Sequence, residues 1–133
     1  MRVLFDTNVL IAAFIVRGVC SDLLEHSIRQ HFLVTSEFIL NEFREKLTGK
    51  FKFSTEEVEA AVGLLLSRMI VVKPVDLDTA VCRDRDDDTV LATAIAGNCD
   101  CIVTGDKDLL ALQRFGNTVI LSPADFWKYE TTR

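Results

Sequence analysis

Residues Val3–Phe14 read VLFDTNVLIAAF, an apolar run broken by Asp6-Thr7-Asn8 that resumes at once. The β-branched and apolar segment Arg2–Phe5 suits a buried strand, and Asn8–Val16 suits a helix with Asp6 or Thr7 near its cap. The polar triplet therefore falls at a strand-to-helix junction. A carboxylate buried in such a seam is costly unless something compensates it. A helix N-terminus, a basic partner and a metal ion are the available compensations.

Working outward, the same alternation repeats. Apolar strands are expected at Phe32–Thr35, Ile70–Val72, Cys101–Thr104 and Val119–Leu121. Between them lie amphipathic segments with helix signals. One spans about Ser21–Arg29. SEFILNEFREKL (36–47) has Ser36 as cap, Glu37 at the positive end of the dipole and Gly49 just past its end. STEEVEAAVGLLLSRM (54–69) opens on Ser54, DDDTVLATAIAGN (86–98) is ended by Gly97, and DKDLLALQRF (106–115) begins a short helix. Ser122-Pro123 starts a C-terminal helix, with Pro at its first position. This alternation predicts a three-layer α/β/α sandwich around a mainly parallel five-stranded sheet. In such sheets ligands bind beyond the carboxyl ends of the strands, where strand order reverses.

Composition bounds the function. At 133 residues the chain is expected to form a single domain, and it carries a net charge of −5. That charge argues against a tight, purely electrostatic nucleic-acid binder, although acids gathered in one pocket can coexist with a basic rim. The four cysteines, Cys20, Cys82, Cys99 and Cys101, form no C-x-x-C pair and read as small buried hydrophobes. His26 and His31 are expected on a helix surface and in a loop, with nothing nearby to make either a base or a ligand. No apolar run approaches the roughly 18 residues of a membrane span. Arg2 and Val9–Val16 only superficially resemble a signal peptide, because Asp6 and Asn8 interrupt the approach. A cytoplasmic protein is expected.

The acids fall where the topology predicts a site. Asp6 follows the first strand, Asp106 follows the fourth through Thr104-Gly105, and Asp108 comes two residues later. Asp86, Asp87 and Asp88 open the helix that leads into the fourth strand, and Glu42 lies in the helix after the second. Each has an ordinary role open to it: a helix cap, or for Glu42 an ion pair with Lys46. Together they are harder to explain that way. Glu42 falls between Phe38 and Ile39 on the helical wheel, and DRDDD (84–88) supplies four acids where a cap needs one. Carboxylates sharing a site cannot all stay ionised without a cation. A set of oxygen ligands lacking His and Cys points to Mg2+ or Mn2+.

VLFDTNVLIAAF, TSEFILNEFREKL, DRDDDTVLATAIAGNCDCIVTGDKDLL and VILSPADFW resemble the successive motifs of the PIN-domain ribonucleases, especially the toxin components related to VapC-type toxins. The resemblance covers nearly the whole chain in order. It implies a parallel five-stranded sandwich and a metal-dependent endoribonuclease acting on RNA at an acidic Mg2+ or Mn2+ site. Carried over by position, the four acids are Asp6, Glu42, Asp88 and Asp106. Asp88 is preferred to its neighbours because DTVLATA continues from it as in the family's third motif. Asp87 is a helper, Asn8 and Thr104 orient the acids, and Asp108 matches an extra acid of the related flap-nuclease branch.

The resemblance also implies a homodimer and a cognate antitoxin protein as partner. The face offered by Leu64-Leu65-Leu66 points to the dimer as well. RNA is expected along Arg44, Lys46, Lys50 and Lys52. Two other aspartate chemistries fit less well. A haloacid-dehalogenase-type phosphatase wants D-x-D, where this chain has Asn8, and a response-regulator receiver wants a phosphoacceptor Asp after its third strand. A stand-alone RNA-processing nuclease and a non-catalytic PIN module that only binds a partner stay open.

Overall fold

Val3, Leu4 and Phe5 are at most 2% exposed, and a strand buried so deeply needs neighbours on both edges and cover on both faces. The computed structural model, which describes residues 1–132, supplies both. The chain runs β1 (Arg2–Phe5), α1 (Thr7–Ile15), α2 (Val19–Gln30), β2 (Phe32–Thr35), α3 (Glu37–Gly49), α4 (Thr55–Leu66) and β3 (Met69–Val71). It continues through α5 (Arg85–Ala96), β4 (Cys101–Val103), α6 (Lys107–Leu112), β5 (Arg114–Phe115), β6 (Thr118–Leu121) and α7 (Pro123–Thr132). β1 pairs in parallel with β2 and with β4, so that Val3 faces Leu33 on one side and Cys101 on the other. β3 and β6 extend the parallel sheet outward, giving the order β3-β2-β1-β4-β6-β5.

The sheet has six strands rather than the expected five. The addition is β5, which pairs antiparallel with β6 across Gly116-Asn117. The short helix begun in DKDLLALQRF ends at Leu112, and the chain turns into β5 where Gln113 adopts φ 61° and Gly116 φ 59°. The parallel α/β class is unaffected. α1 packs on α2 and α3, and α3 on α4.

The chain steps outward from β1 to β2 to β3 and then crosses back to β4 on the opposite side of β1. β1 and β4 therefore flank the point where strand order reverses, and their carboxyl ends open the crevice beyond it. α5 is the returning crossover. Its C-terminal end lies so close to β2 that a Cβ at Gly97 would stand 2.5 Å from Val34 Cγ1, and the Gly97 carbonyl accepts from Arg2 Nε at 2.6 Å. Of the cysteines, Cys99 and Cys101 are buried and Cys20 and Cys82 half-buried. Among the described residues no single helix is long and apolar enough to cross a membrane.

Candidate active site

Asp6 leaves β1 and caps α1, its Oδ1 accepting the Thr7 N–H at 2.8 Å. Its Oδ2 accepts the Thr104 hydroxyl at 2.7 Å. Thr104, fully buried at the end of β4, also accepts the Asp106 N–H at 3.0 Å. One hydroxyl therefore fixes the two acids that bracket the switch point. Asp106 in turn caps α6, its Oδ1 accepting from Asp108 N and Leu109 N at 2.8 and 3.1 Å. Both aspartates are caps, and both face the crevice.

Burial pushes the Asp6 carboxyl above the usual carboxylate range against its hydrogen bonds from Thr104 and Thr7, and the charge of Asp106 pushes in the same direction. Glu42, on α3, accepts from Thr7 Oγ1 at 2.8 Å. Its partial burial raises it too, with Asp86 and Asp6 adding to the rise while Thr7 and Lys46 oppose it. Thr7 thus joins the first acid to the second. Sequence reading did not single out this role, although a hydroxyl beside a capping aspartate is its visible signal.

The acids of α5 are not arranged as expected. Asp84 caps the helix by accepting from Asp86 N at 2.9 Å, so the helix begins at Arg85. That phase sets Asp87 on the buried stripe with Val90, Leu91 and Ala94. Asp88 is turned about 100° away along the helix. Its carboxylate accepts from Cys82 N at 2.8 Å and Val81 N at 3.2 Å, closing the loop before the helix. Slight desolvation would raise the Asp88 carboxyl, but the Cys82 and Val81 donors together outweigh it and hold the group low.

The place expected for Asp88 is taken by Asp87. Asp87, Asp106 and Asp108 bring carboxylate oxygens within 4.8 Å of one another. Desolvation, with the charges of Asp106, Asp84 and Asp6, pushes the Asp87 carboxyl up to about 6. That repulsion is what a cation would relieve, and an oxygen-only donor set of this kind fits Mg2+ or Mn2+.

On the rim, Lys46 Nζ donates to Asn8 Oδ1 at 2.7 Å. A largely apolar cavity of about 530 Å³ opens beside them, lined by Asn8, Ile11, Ile15, Lys46, Lys50 and Phe51. Arg44, expected with the basic edge, is instead tied to Asn41 and Glu59, bridging α3 to α4. Arg83 Nη2 donates to both oxygens of Asp108 at 3.1 Å.

A family model for the PIN domain matches residues 2–108. No curated protein matches the sequence. Solved structures similar in fold include two from VapBC systems. A chain from VapBC2 of Rickettsia felis, bound to a DNA fragment from their promoter, superposes with a TM-score of 0.63 at 18% identity, over 90% of this chain and 97% of that one. A chain from VapBC-1 of nontypeable Haemophilus influenzae gives a TM-score of 0.66 at 17% identity, over 93% and 99%. At such identities the likeness is one of fold. The family match spans most of the length and includes β1, the α5 acids and Asp106, and by it the chain belongs to the PIN-domain family.

Proposed function

We propose that this PIN domain is a Mg2+- or Mn2+-dependent endoribonuclease and the toxin of a toxin–antitoxin pair, acting in the cytoplasm. The observation that carries the nuclease reading is the gathering of Asp87, Asp106 and Asp108 at the switch point, with Asp6 joined to Asp106 through Thr104 and Glu42 tied to Asp6 through Thr7. Asp6, Asp87 and Asp106 are the proposed metal ligands, with Asp108 in support. Asp88 is left to the loop it closes. A divalent ion bound there would act as a Lewis acid on the phosphoryl oxygens and lower the pKa of a coordinated water.

The remaining work falls to the chain's own side chains. Thr104 and Thr7 hold the acids so that their oxygens need not reorganise during reaction. Glu42, raised by partial burial and standing at the rim, is placed to accept the proton of the attacking water at its carboxylate. Lys46, fixed by Asn8, offers positive charge where the RNA phosphate would enter.

The toxin reading rests on the two VapBC neighbours and on the apolar cavity beside Asn8 and Lys46, which suits a segment of an antitoxin. A homodimer is supported by the exposed Leu64 and Leu66 of α4 beside Ile70 and Val71 of the edge strand β3.

The test is cleavage of single-stranded RNA with Mn2+. Asp87→Asn is expected to reduce the rate by at least about a hundredfold, and Asp88→Asn to leave most of it, because only Asp87 joins the cluster. Equal loss in both, or activity surviving exhaustive chelation, overturns the assignment.

A further inference from the structure

At the end of the sheet opposite the acids, two imidazoles and a carboxylate aim their ligating atoms at one another. His26 lies on α2, His31 directly precedes β2, and Glu130 comes from α7. His26 Nε2 stands 2.8 and 2.9 Å from the two Glu130 oxygens. His31 Nε2 meets the same Glu130 Oε2. All three ligating atoms lie within 4.8 Å of one another. The strands of the parallel sheet separate this cluster from the carboxylates by roughly 13 Å, the length of four extended residues.

The rings are held before any ligand arrives. His26 packs on Trp127 with ring centres 4.7 Å apart and edge-on to His31 at 5.8 Å, and His31 stands edge-on to the buried Phe126 at 5.8 Å. Both rings present Nε2, the same atom, to one point. The side chains of His31, Glu130 and His26 are 9%, 25% and 28% exposed, which leaves one side of the cluster open to a water ligand.

We infer that His26, His31 and Glu130 form a binding site for a transition-metal ion of the Zn2+ class, separate from the carboxylate site. Two imidazoles, one carboxylate and an open fourth position make a donor set that suits Zn2+, Co2+ or Cu2+ and does not suit Mg2+. Ligand atoms about 2.0–2.2 Å from a tetrahedral ion sit about 3.3 Å apart, so Glu130 withdraws from both rings as the ion enters. Its place in the last turns of α7 allows that.

On binding, each Nε2 gives its lone pair and the ring proton resides on Nδ1. Displaced protons pass to solvent. The ion would staple α7 to α2 and to the start of β2, far from the catalytic acids. The inference does not depend on the nuclease reading.

The single tryptophan, Trp127, reports the site directly. The tag-free chain, stripped with EDTA and dialysed, is titrated with Cu2+ or Co2+ while Trp127 emission is followed. Zn2+ binding is measured by calorimetry and by thermal midpoint. One equivalent is expected to quench the emission, Zn2+ is expected to raise the midpoint, and excess Mg2+ is expected not to compete. His26→Gln and Glu130→Gln, each checked for folding by its midpoint in EDTA, are expected to weaken binding at least about tenfold. Asp106→Asn is expected to bind as the parent does. Undiminished quenching in the His26→Gln/Glu130→Gln double variant overturns the site, as does Zn2+ without effect at micromolar concentration. Loss of binding in Asp106→Asn would place the ion at the acids and overturn it equally.

Discussion

Asp6 has two oxygens and two obligations, one to the end of a helix and one to the crevice. Its Oδ1 caps α1 and its Oδ2 accepts from Thr104, yet burial and the neighbouring Asp106 still work against its charge. Asp6→Asn separates these obligations. Asparagine caps as well as aspartate. Its amide NH2 can donate to Thr104, whose hydroxyl oxygen has a second lone pair. The variant is expected to fold, to be at least as heat-stable as the parent in EDTA by scanning calorimetry, and to lose cleavage; a clear drop in midpoint would show that the charge itself supports the fold. Asp87 carries the same tension into pH. Its folded value of about 6 lies above the ordinary 3.8, so between the two the folded chain holds more protons than the unfolded chain. Metal-free stability therefore rises as pH falls through that window and is lost as pH climbs past about 6. The midpoint in EDTA is expected to rise from about pH 7.5 to about pH 5.5, and Asp87→Asn to flatten that rise. A midpoint that falls on acidification would remove the repulsion argument.

At the scale of elements, α5 binds the fold to the site, because one helix both crosses the sheet and carries Asp87. Its end approaches β2 so closely that Gly97→Ala would drive a methyl into Val34. The expected cost is about 1–3 kcal/mol by urea denaturation, with loss of activity as the helix lifts. An unchanged midpoint would mean that Val34 can yield. The alternation of strands and helices was legible because the strands are nearly continuous apolar runs. The positions of Asp6 and Asp106 were legible because Asp6 directly follows such a run and Asp106 follows one through Thr104-Gly105. The phase of α5 was harder to read: four acids in five residues offer several caps, and each choice rotates the helix by about 100° per residue. Starting from Asp84, the spacing of Asp87 to Val90, Leu91 and Ala94 is the i, i+3, i+4, i+7 pattern of a buried face. That pattern was present in the letters but outweighed by the motif comparison. β5 escaped for a different reason. Two residues show no alternation, and Gly116-Asn117 alone carried the hairpin signal. The convergence of His26, His31 and Glu130 had no local signature, since α7 brings Glu130 from the far end of the chain.

For the whole molecule, the question is what covers its remaining surfaces. Leu65 of α4 is buried while Leu64 and Leu66 are 55% and 43% exposed, so the predicted face is divided between core and solvent. With Ile70 and Val71 it forms an apolar edge suited to an isologous contact. Sedimentation at micromolar concentration is expected to give a dimer and Leu64→Glu a monomer; a monomeric parent would refute the dimer. The crevice makes a second demand. Without an ion its carboxylates repel, and a guanidinium is the organic group best shaped to answer two of them. Arg83 already pairs with one of the acids, its Nη2 donating to both oxygens of Asp108 from an exposed loop. An antitoxin seated in the cavity beside Asn8 and Lys46, and reaching an arginine into the crevice, would extend that pairing to two carboxylates. Arginine and ion would then compete for the same oxygens. Inhibition of RNA cleavage by the partner is expected to weaken as Mg2+ rises, and the partner's Arg→Ala variant to bind while inhibiting poorly. Inhibition that is indifferent to Mg2+ would place the blocking contact on the RNA path instead of on the acids.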